Sequence, residues 1–227
     1  MIGSLGQPVL FLLGLGFGFG SIFRQAGQGN YIQFLSPGVI LMTILFNAIF
    51  TGTELIWDRQ FGFLKEMLVS PVPRLLIMTG RTLGGATVAV IQGLVVTVIC
   101  VLAGFRFQFS PSLIMALVYM ALTALLFTAM GTALASVLSD FQGFQLSMGF
   151  LIMPMFFLSG SLAPLNNAPR AMSLIASIDP VSYGVDGLRY SLIGLVYFGA
   201  ATDLAVLSIL TLAMILLGGY LFSKIQL

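Results

Sequence analysis

Few residues in this chain have the types that chemistry needs. Among 227 residues there is no histidine and a single cysteine, Cys100, which stands inside an apolar run, cannot form an internal disulfide and reads as a small packing residue. The two lysines, Lys65 and Lys224, are followed by Glu66 and Ile225, so no Lys-Ser/Thr phosphate-cradling loop exists. No convergent acid/base pair, activated nucleophile or metal-ligand cluster can be assembled from the remainder. The chain is therefore expected not to be an enzyme and to hold no cofactor or metal of its own.

What the sequence does contain is charge gathered in one place. Glu54, Asp58, Arg59, Lys65, Glu66, Arg74 and Arg81 fall within 54–81, between two apolar runs. Read as a helix, Trp57, Phe61, Leu64 and Leu68 share a narrow arc, with Asp58, Arg59, Gly62, Lys65 and Glu66 on the sides and opposite face. This pattern predicts an amphipathic helix in the membrane interface, stopped by Pro71 and Pro73. A generic anchoring connector and a docking surface for a partner protein both fit it.

A second patterned segment covers 164–203. Asn167, two residues before Pro169, reads as a helix cap, and Met172, Ile175 and Ala176 recur at helical spacing. Asp179 and Pro180 repeat the start signal and open a second short helix through Tyr183, Asp186 and Arg189. Asp186 and Arg189 stand at i, i+3 and are expected to form an exposed pair, worth only about 0–1 kcal/mol. Together these short helices are expected to close the outer end of a pathway.

The elements that carry these segments must lie in lipid. The chain is 59% apolar and 7% charged, with a mean hydropathy of +1.09, too little polar surface to cover a water-soluble globule of this size. A net charge of +2 without a basic stripe excludes nucleic acid as a partner. A spanning helix needs about 20 residues for roughly 30 Å of hydrocarbon. The runs 37–53, 82–105, 112–138, 141–163 and 204–222 qualify, and a shorter run at 8–23 makes a sixth. That first run lacks a positive stretch before it, which argues against a cleaved signal peptide. Its Gly14, Gly16, Gly18 and Gly20 form interleaved small-xxx-small pairs suited to close helix packing. The fold class is thus an all-α polytopic membrane protein of one domain, 1–227. The basic residues of 54–81 place that loop on the cytoplasmic side, with both termini and the turn near Asp140, and the 164–203 segment outside.

Two stretches carry a family resemblance: WDRQFGFLKEMLVSPVPR (57–74) and PLNNAPRAMSLIASIDPVSYGVDGLR (164–189). With the span count, they resemble the type-2 (ABC-2) permeases of ATP-binding-cassette exporters, especially daunorubicin-resistance-like multidrug exporters, over nearly the whole chain. The resemblance implies a six-helix subunit of the plasma (inner, cytoplasmic) membrane that pairs with a second permease subunit, as homo- or heterodimer. It further implies a cytoplasmic ABC ATPase subunit that carries the ATP and Mg. In the family the first loop forms a coupling helix seated on the ATPase, a role that Glu54, Asp58, Arg59, Gly62, Phe63, Lys65 and Glu66 would inherit. Asn167, Pro180, Tyr183, Asp186 and Arg189 would form the outer segment or gate. Two features depart from the family: only an uncharged 1–7 precedes the first run, where a charged amphipathic segment is common, and Gln60 replaces an often acidic residue. The implied cargo is amphiphilic, drug-like or lipid-like, moved out of the cell.

Two other readings use the same residues. An ion-coupled carrier would need ionisable groups near midspan, which runs two to six lack, and broken helices repeated in both halves, whereas Pro154 and Gly160 have no counterpart in the first half. A non-transporting scaffold for a cytoplasmic partner would also show six spans and a docking loop.

Overall fold

The computed structural model describes residues 2–20, 22, 30–69, 71–106, 112–138 and 140–224. Within them the chain is all helical. The helices are α1 (Ile2–Gly18), α2 (Tyr31–Gln60), α3 (Phe63–Val69), α4 (Arg74–Leu102), α5 (Ser112–Val137), α6 (Phe141–Leu158), α7 (Arg170–Ile178), α8 (Pro180–Ile193) and α9 (Ala200–Ser223), with a 3-10 turn at Leu165–Asn167. Five of these, α2, α4, α5, α6 and α9, are long and apolar enough to cross a membrane, and α1 adds a shorter apolar helix.

Consecutive long helices alternate in direction, so α2, α5 and α9 run one way, α4 and α6 the other, and the bundle has two distinct ends. At one end Arg59 of α2 meets the Ser136 carbonyl of α5, and Arg74 of α4 meets the Ser223 carbonyl of α9. At the other, Tyr31 of α2 donates to the Leu162 carbonyl beyond α6, and Tyr119 of α5 donates to the Ala200 carbonyl at the start of α9. The first is called the loop end below, because α3 lies there; the second is the cap end, because α7 and α8 lie there.

Helix boundaries follow local chemistry. Asn30, extended, caps α2 by accepting from the Ile32 amide at 3.0 Å, and Asp140 caps α6 by accepting from Gly143 at 2.7 Å. Pro73 precedes α4, and α9 opens after Gly199 at φ +118°. Pro154 lies inside α6 without ending it; the stop comes at Gly160, whose φ of +78° only glycine adopts freely.

Several expected boundaries move. Span two extends from 37–53 to Tyr31–Gln60, so Glu54, Asp58 and Arg59 ride on the last turns of a spanning helix. Span three begins at Arg74 rather than at 82, and span five stops at Leu158 rather than at 163. The single amphipathic helix expected through Trp57, Phe61, Leu64 and Leu68 is two pieces, because Gly62 at φ +84° breaks it between Gln60 and Phe63. Of the glycine series in the first helix, Gly16 meets Ile32, whereas Gly14 and Gly18 have no described atom within 4 Å of a Cβ position. The expected end of that first run, at 23, lies outside the described residues.

The core is built around α2, which touches α1, α3, α4, α5, α6 and α8. Its middle is buried on every side, from Phe34 through Leu45. Several core hydroxyls return to their own helix: Thr43 of α2 donates to Val39, Thr82 of α4 to Met78 and Thr132 of α5 to Thr128. This satisfies polar groups where no water is available. The closest backbone approach is between α2 and α5. A Cβ on Gly131 would stand 2.5 Å from the Ile49 carbonyl oxygen, and a Cβ on Gly52 would strike the Gly131 carbonyl. In lipid, where no hydrophobic drive separates helix from tail, such contact is the main source of association.

Gly131→Ala should therefore force α2 and α5 apart and lower thermal stability in detergent by roughly 1–3 kcal/mol, the usual cost of overpacking. Gly149→Ala, on a face of α6 with no atom within 4 Å, should leave it unchanged.

Candidate functional site

The cap end is held by charged side chains turned inward. α8 begins where Asp179, extended, accepts from the Val181 amide at 2.9 Å with Pro180 in the first turn, as the sequence predicts. The cap position of α7 falls on Pro169 rather than Asn167, with no side-chain hydrogen bond from Pro169, and Asn167 ends the 3-10 turn. The Pro169 carbonyl accepts from the Met172 and Ser173 amides at 2.9 and 3.2 Å.

The expected exposed Asp186–Arg189 pair is not what forms. Asp186 is 4% exposed and Arg189 8%, and no ion pair joins them. Arg189 reaches across to the end of α6, where Nη2 donates to the carbonyls of Gly160 and Ser161 at 3.1 and 3.4 Å. Its guanidinium lies 3.9 Å above the Phe34 ring of α2. Burial pulls its pKa down to about 10, against the raising effect of the Asp186 charge, so it stays cationic at neutral pH. Asp186 turns the other way and accepts from the Tyr197 amide at 2.9 Å and the Phe198 amide at 2.7 Å. One helix thus fastens both the end of α6 and the loop before α9.

Neighbouring residues make this geometry possible. Gly160, with positive φ, has Leu165 where a Cβ would be, and its turn presents the two carbonyls to Arg189. Gly184 and Gly187 let α8 lie against Thr123 and Tyr119 of α5. α8 ends at Gly194, left-handed at φ +74°. Tyr183 donates to the Ser177 carbonyl at 2.6 Å and packs its ring 4.8 Å from Phe198. Beside the cluster lies a cavity of about 310 Å³, lined in part by Asn30, Gln33, Phe34, Asp186 and Arg189.

At the loop end the expected residues divide into two groups. Asp58 forms an ion pair with Arg81 of α4, and Arg81 also reaches the Met67 sulfur of α3 at 3.6 Å. Arg59 donates to the Ser136 carbonyl at 3.2 Å, and Trp57 stacks on Phe141 at 6.1 Å. These side chains tie helices of this chain together. Phe63 is 58% exposed, and Phe61, Lys65, Glu66 and Val69 are exposed beside it, while Leu64 is buried beneath. Glu54 is exposed one turn up α2, and Gly62 makes the bend that presents α3.

The cap-end side chains so placed fasten helix ends to one another. Among the described residues no cluster of three or more His, Cys, Asp or Glu could hold a metal. The ABC-2 type transporter family model matches residues 2–193, most of the chain. The chain belongs to the ABC-2 type transporter family. Similar proteins include ycf38 of Porphyra purpurea, 33% identical over 194 residues (81% of this chain, 64% of that protein). The inner membrane transport permease YadH of Escherichia coli K12 is 29% identical over 189 residues (83% and 73%), and nodulation protein J of Rhizobium leguminosarum bv. viciae is 27% identical over 196 (86% and 75%). The chain thus spans about two-thirds to three-quarters of the length of these relatives. As an ABC-2 family member it is a multi-pass membrane protein of a transport-permease type.

Sequence reasoning missed Phe34, Tyr119, Gly160, Ser161 and Asp203 as parts of the cap-end cluster. Two signals were present: Gly184 and Gly187 three apart on an otherwise bulky helix, and Asp203, a lone acid at the mouth of an apolar run.

Arg189→Met keeps the stem and deletes the donors, leaving two buried carbonyls unsatisfied; thermal stability in nanodiscs should fall by about 1–3 kcal/mol. Arg170→Met, on exposed α7, should stay within about 0.5 kcal/mol of the parent. Burial raises the Asp179 carboxyl to about 7, against the Val181 amide and Ser182 hydroxyl, which lower it. Its stabilising protonated form is complete below about pH 4 and lost as pH rises through about 7. Asp179→Asn, which can still cap, should remove that part of the pH dependence of the melting temperature.

Proposed function

We propose that this chain is the membrane-spanning permease subunit of an ATP-driven exporter, and that the ATPase is a separate polypeptide docking on α3. The observation that supports this best is the exposed patch of Phe61, Phe63, Lys65, Glu66 and Val69 at the loop end. Aromatic side chains ringed by charge are what a protein partner recognises, and lipid would not hold the charged side. In this reading the loop end faces the cytoplasm and the cap end faces out.

The coupling we infer is mechanical. ATP-driven closure of the partner presses on α3; Leu64 and Met67 carry the push into the bundle, and the Asp58–Arg81 and Arg59–Ser136 ties pass it to α2, α4 and α5. Because α2 is continuous from Tyr31 to Gln60, about 45 Å at 1.5 Å per residue, its displacement reaches Phe34 beneath Arg189. Opening the cap end requires Arg189 to leave the Gly160 and Ser161 carbonyls. The cargo we assign is amphiphilic, drug-like or lipid-like, and a second permease subunit completes the pathway.

The test is co-purification of the full chain with its cognate ATPase from detergent. Phe63→Asp with Glu66→Lys should abolish capture while membrane insertion and melting temperature stay unchanged; ATPase retained by this variant would refute α3 as the dock. Arg59→Glu should instead lower the melting temperature, because Arg59 holds the Ser136 carbonyl.

A further inference from the structure

A polar group left without a donor at the cap end is the carboxyl of Asp203, in the first turn of α9. It is 0% exposed, and neither oxygen receives a hydrogen bond from any described residue. Beside it, within hydrogen-bonding reach, is Asp186 of α8. The donors around the pair are spent largely elsewhere, although the Arg189 Nε has no hydrogen-bond partner among the described residues. Asp186 already accepts from two main-chain amides, Tyr197 and Phe198. Tyr119 of α5, facing both acids, donates to the Ala200 carbonyl at 2.7 Å. Tyr183 of α8, facing Asp203, donates to the Ser177 carbonyl at 2.6 Å. Arg189 faces Asp186 but gives its Nη2 hydrogens to Gly160 and Ser161, and Tyr190 faces Tyr119.

Two carboxylates side by side and shielded from water repel each other, and a carboxylate with two unmet oxygens is poorly solvated. One proton answers both problems. We propose that Asp186 and Asp203 form a proton-binding site, in which Asp203 carries the proton and donates it to Asp186. The assignment of donor and acceptor follows from the contacts: Asp186 has two amide donors and a facing guanidinium, whereas Asp203 has none. The step is an exchange with water, the Asp203 O–H bond forming when a hydronium gives up its proton and breaking when hydroxide takes it. The consequence is structural. The shared proton ties the start of α9 to α8, which through Asp186 holds the Tyr197–Phe198 corner, so the cap end is fastened when the pair is loaded and loosened when it is empty. The pair sits at the end of the bundle, and no described acid continues it along α9.

The assay uses the full chain in lipid nanodiscs without ATPase or substrate, so its outcome is separate from that of the exporter reading. The Asp179→Asn background removes the Asp179 carboxyl, which burial raises to about 7. Infrared spectroscopy of that chain at neutral pH should show a protonated carboxyl band. Its melting temperature should fall as pH rises from about pH 5 to about pH 9, where unperturbed carboxylates do not titrate. Adding Asp203→Asn, whose amide can still donate to Asp186, should remove both the band and the slope. A missing band in the Asp179→Asn chain overturns the proposal whether or not the double variant folds. So does a band or a slope that survives Asp203→Asn.

Discussion

Everything in this bundle hangs on the contact between α2 and α5. Two glycines, Gly52 and Gly131, bring the helix backbones together until a single methyl group would not fit. In water such a helix pair could rely on apolar burial; in lipid it has packing and hydrogen bonds only. With that contact fixed, α2 becomes a shaft buried on all sides through its middle, and α1, α4 and α8 take their places against it. Both ends of the shaft then carry polar chemistry, where the lipid stops constraining it.

The two ends use charge differently. At the cap end, buried Asp186 and Arg189 are spent on main-chain groups that helix ends leave unpaired: two amides before α9 and two carbonyls after α6. Removing either side chain leaves buried partners exposed to loss, so these residues act as fasteners with a high cost of release. At the loop end, Asp58, Arg59 and Arg81 tie helices while Lys65, Glu66 and the aromatic residues of α3 are left facing outward.

Much of this was legible in the sequence. The five long spans follow from hydrophobic length, the α8 start from Asp179 and Pro180, and the turn before α4 from Pro71 and Pro73. The family followed from the segments 57–74 and 164–189, the first of which holds the α3 patch. What misled was local charge. Asp186 and Arg189 at i, i+3 look like a surface pair, and nothing local says that α8 is roofed by α2, α5 and the end of α6. Likewise the arc of Trp57, Phe61, Leu64 and Leu68 assumes an unbroken helix, and the positive φ of Gly62 is invisible to a periodicity argument. Long-range contacts such as Arg189 over Phe34, or Asp203 beside Asp186, have no spacing signature because they join segments far apart in the chain.

The central claim is that the α3 patch and the Arg189 cluster lie on opposite membrane faces, joined by one continuous α2. It is tested most directly by replacing Cys100, introducing one cysteine at Lys65 or at Asn166, and labelling intact cells with a membrane-impermeant thiol reagent. The account predicts that the Asn166→Cys chain is labelled from outside, and that Lys65→Cys is labelled only after the membrane is opened. Labelling of both positions from the same side would contradict it.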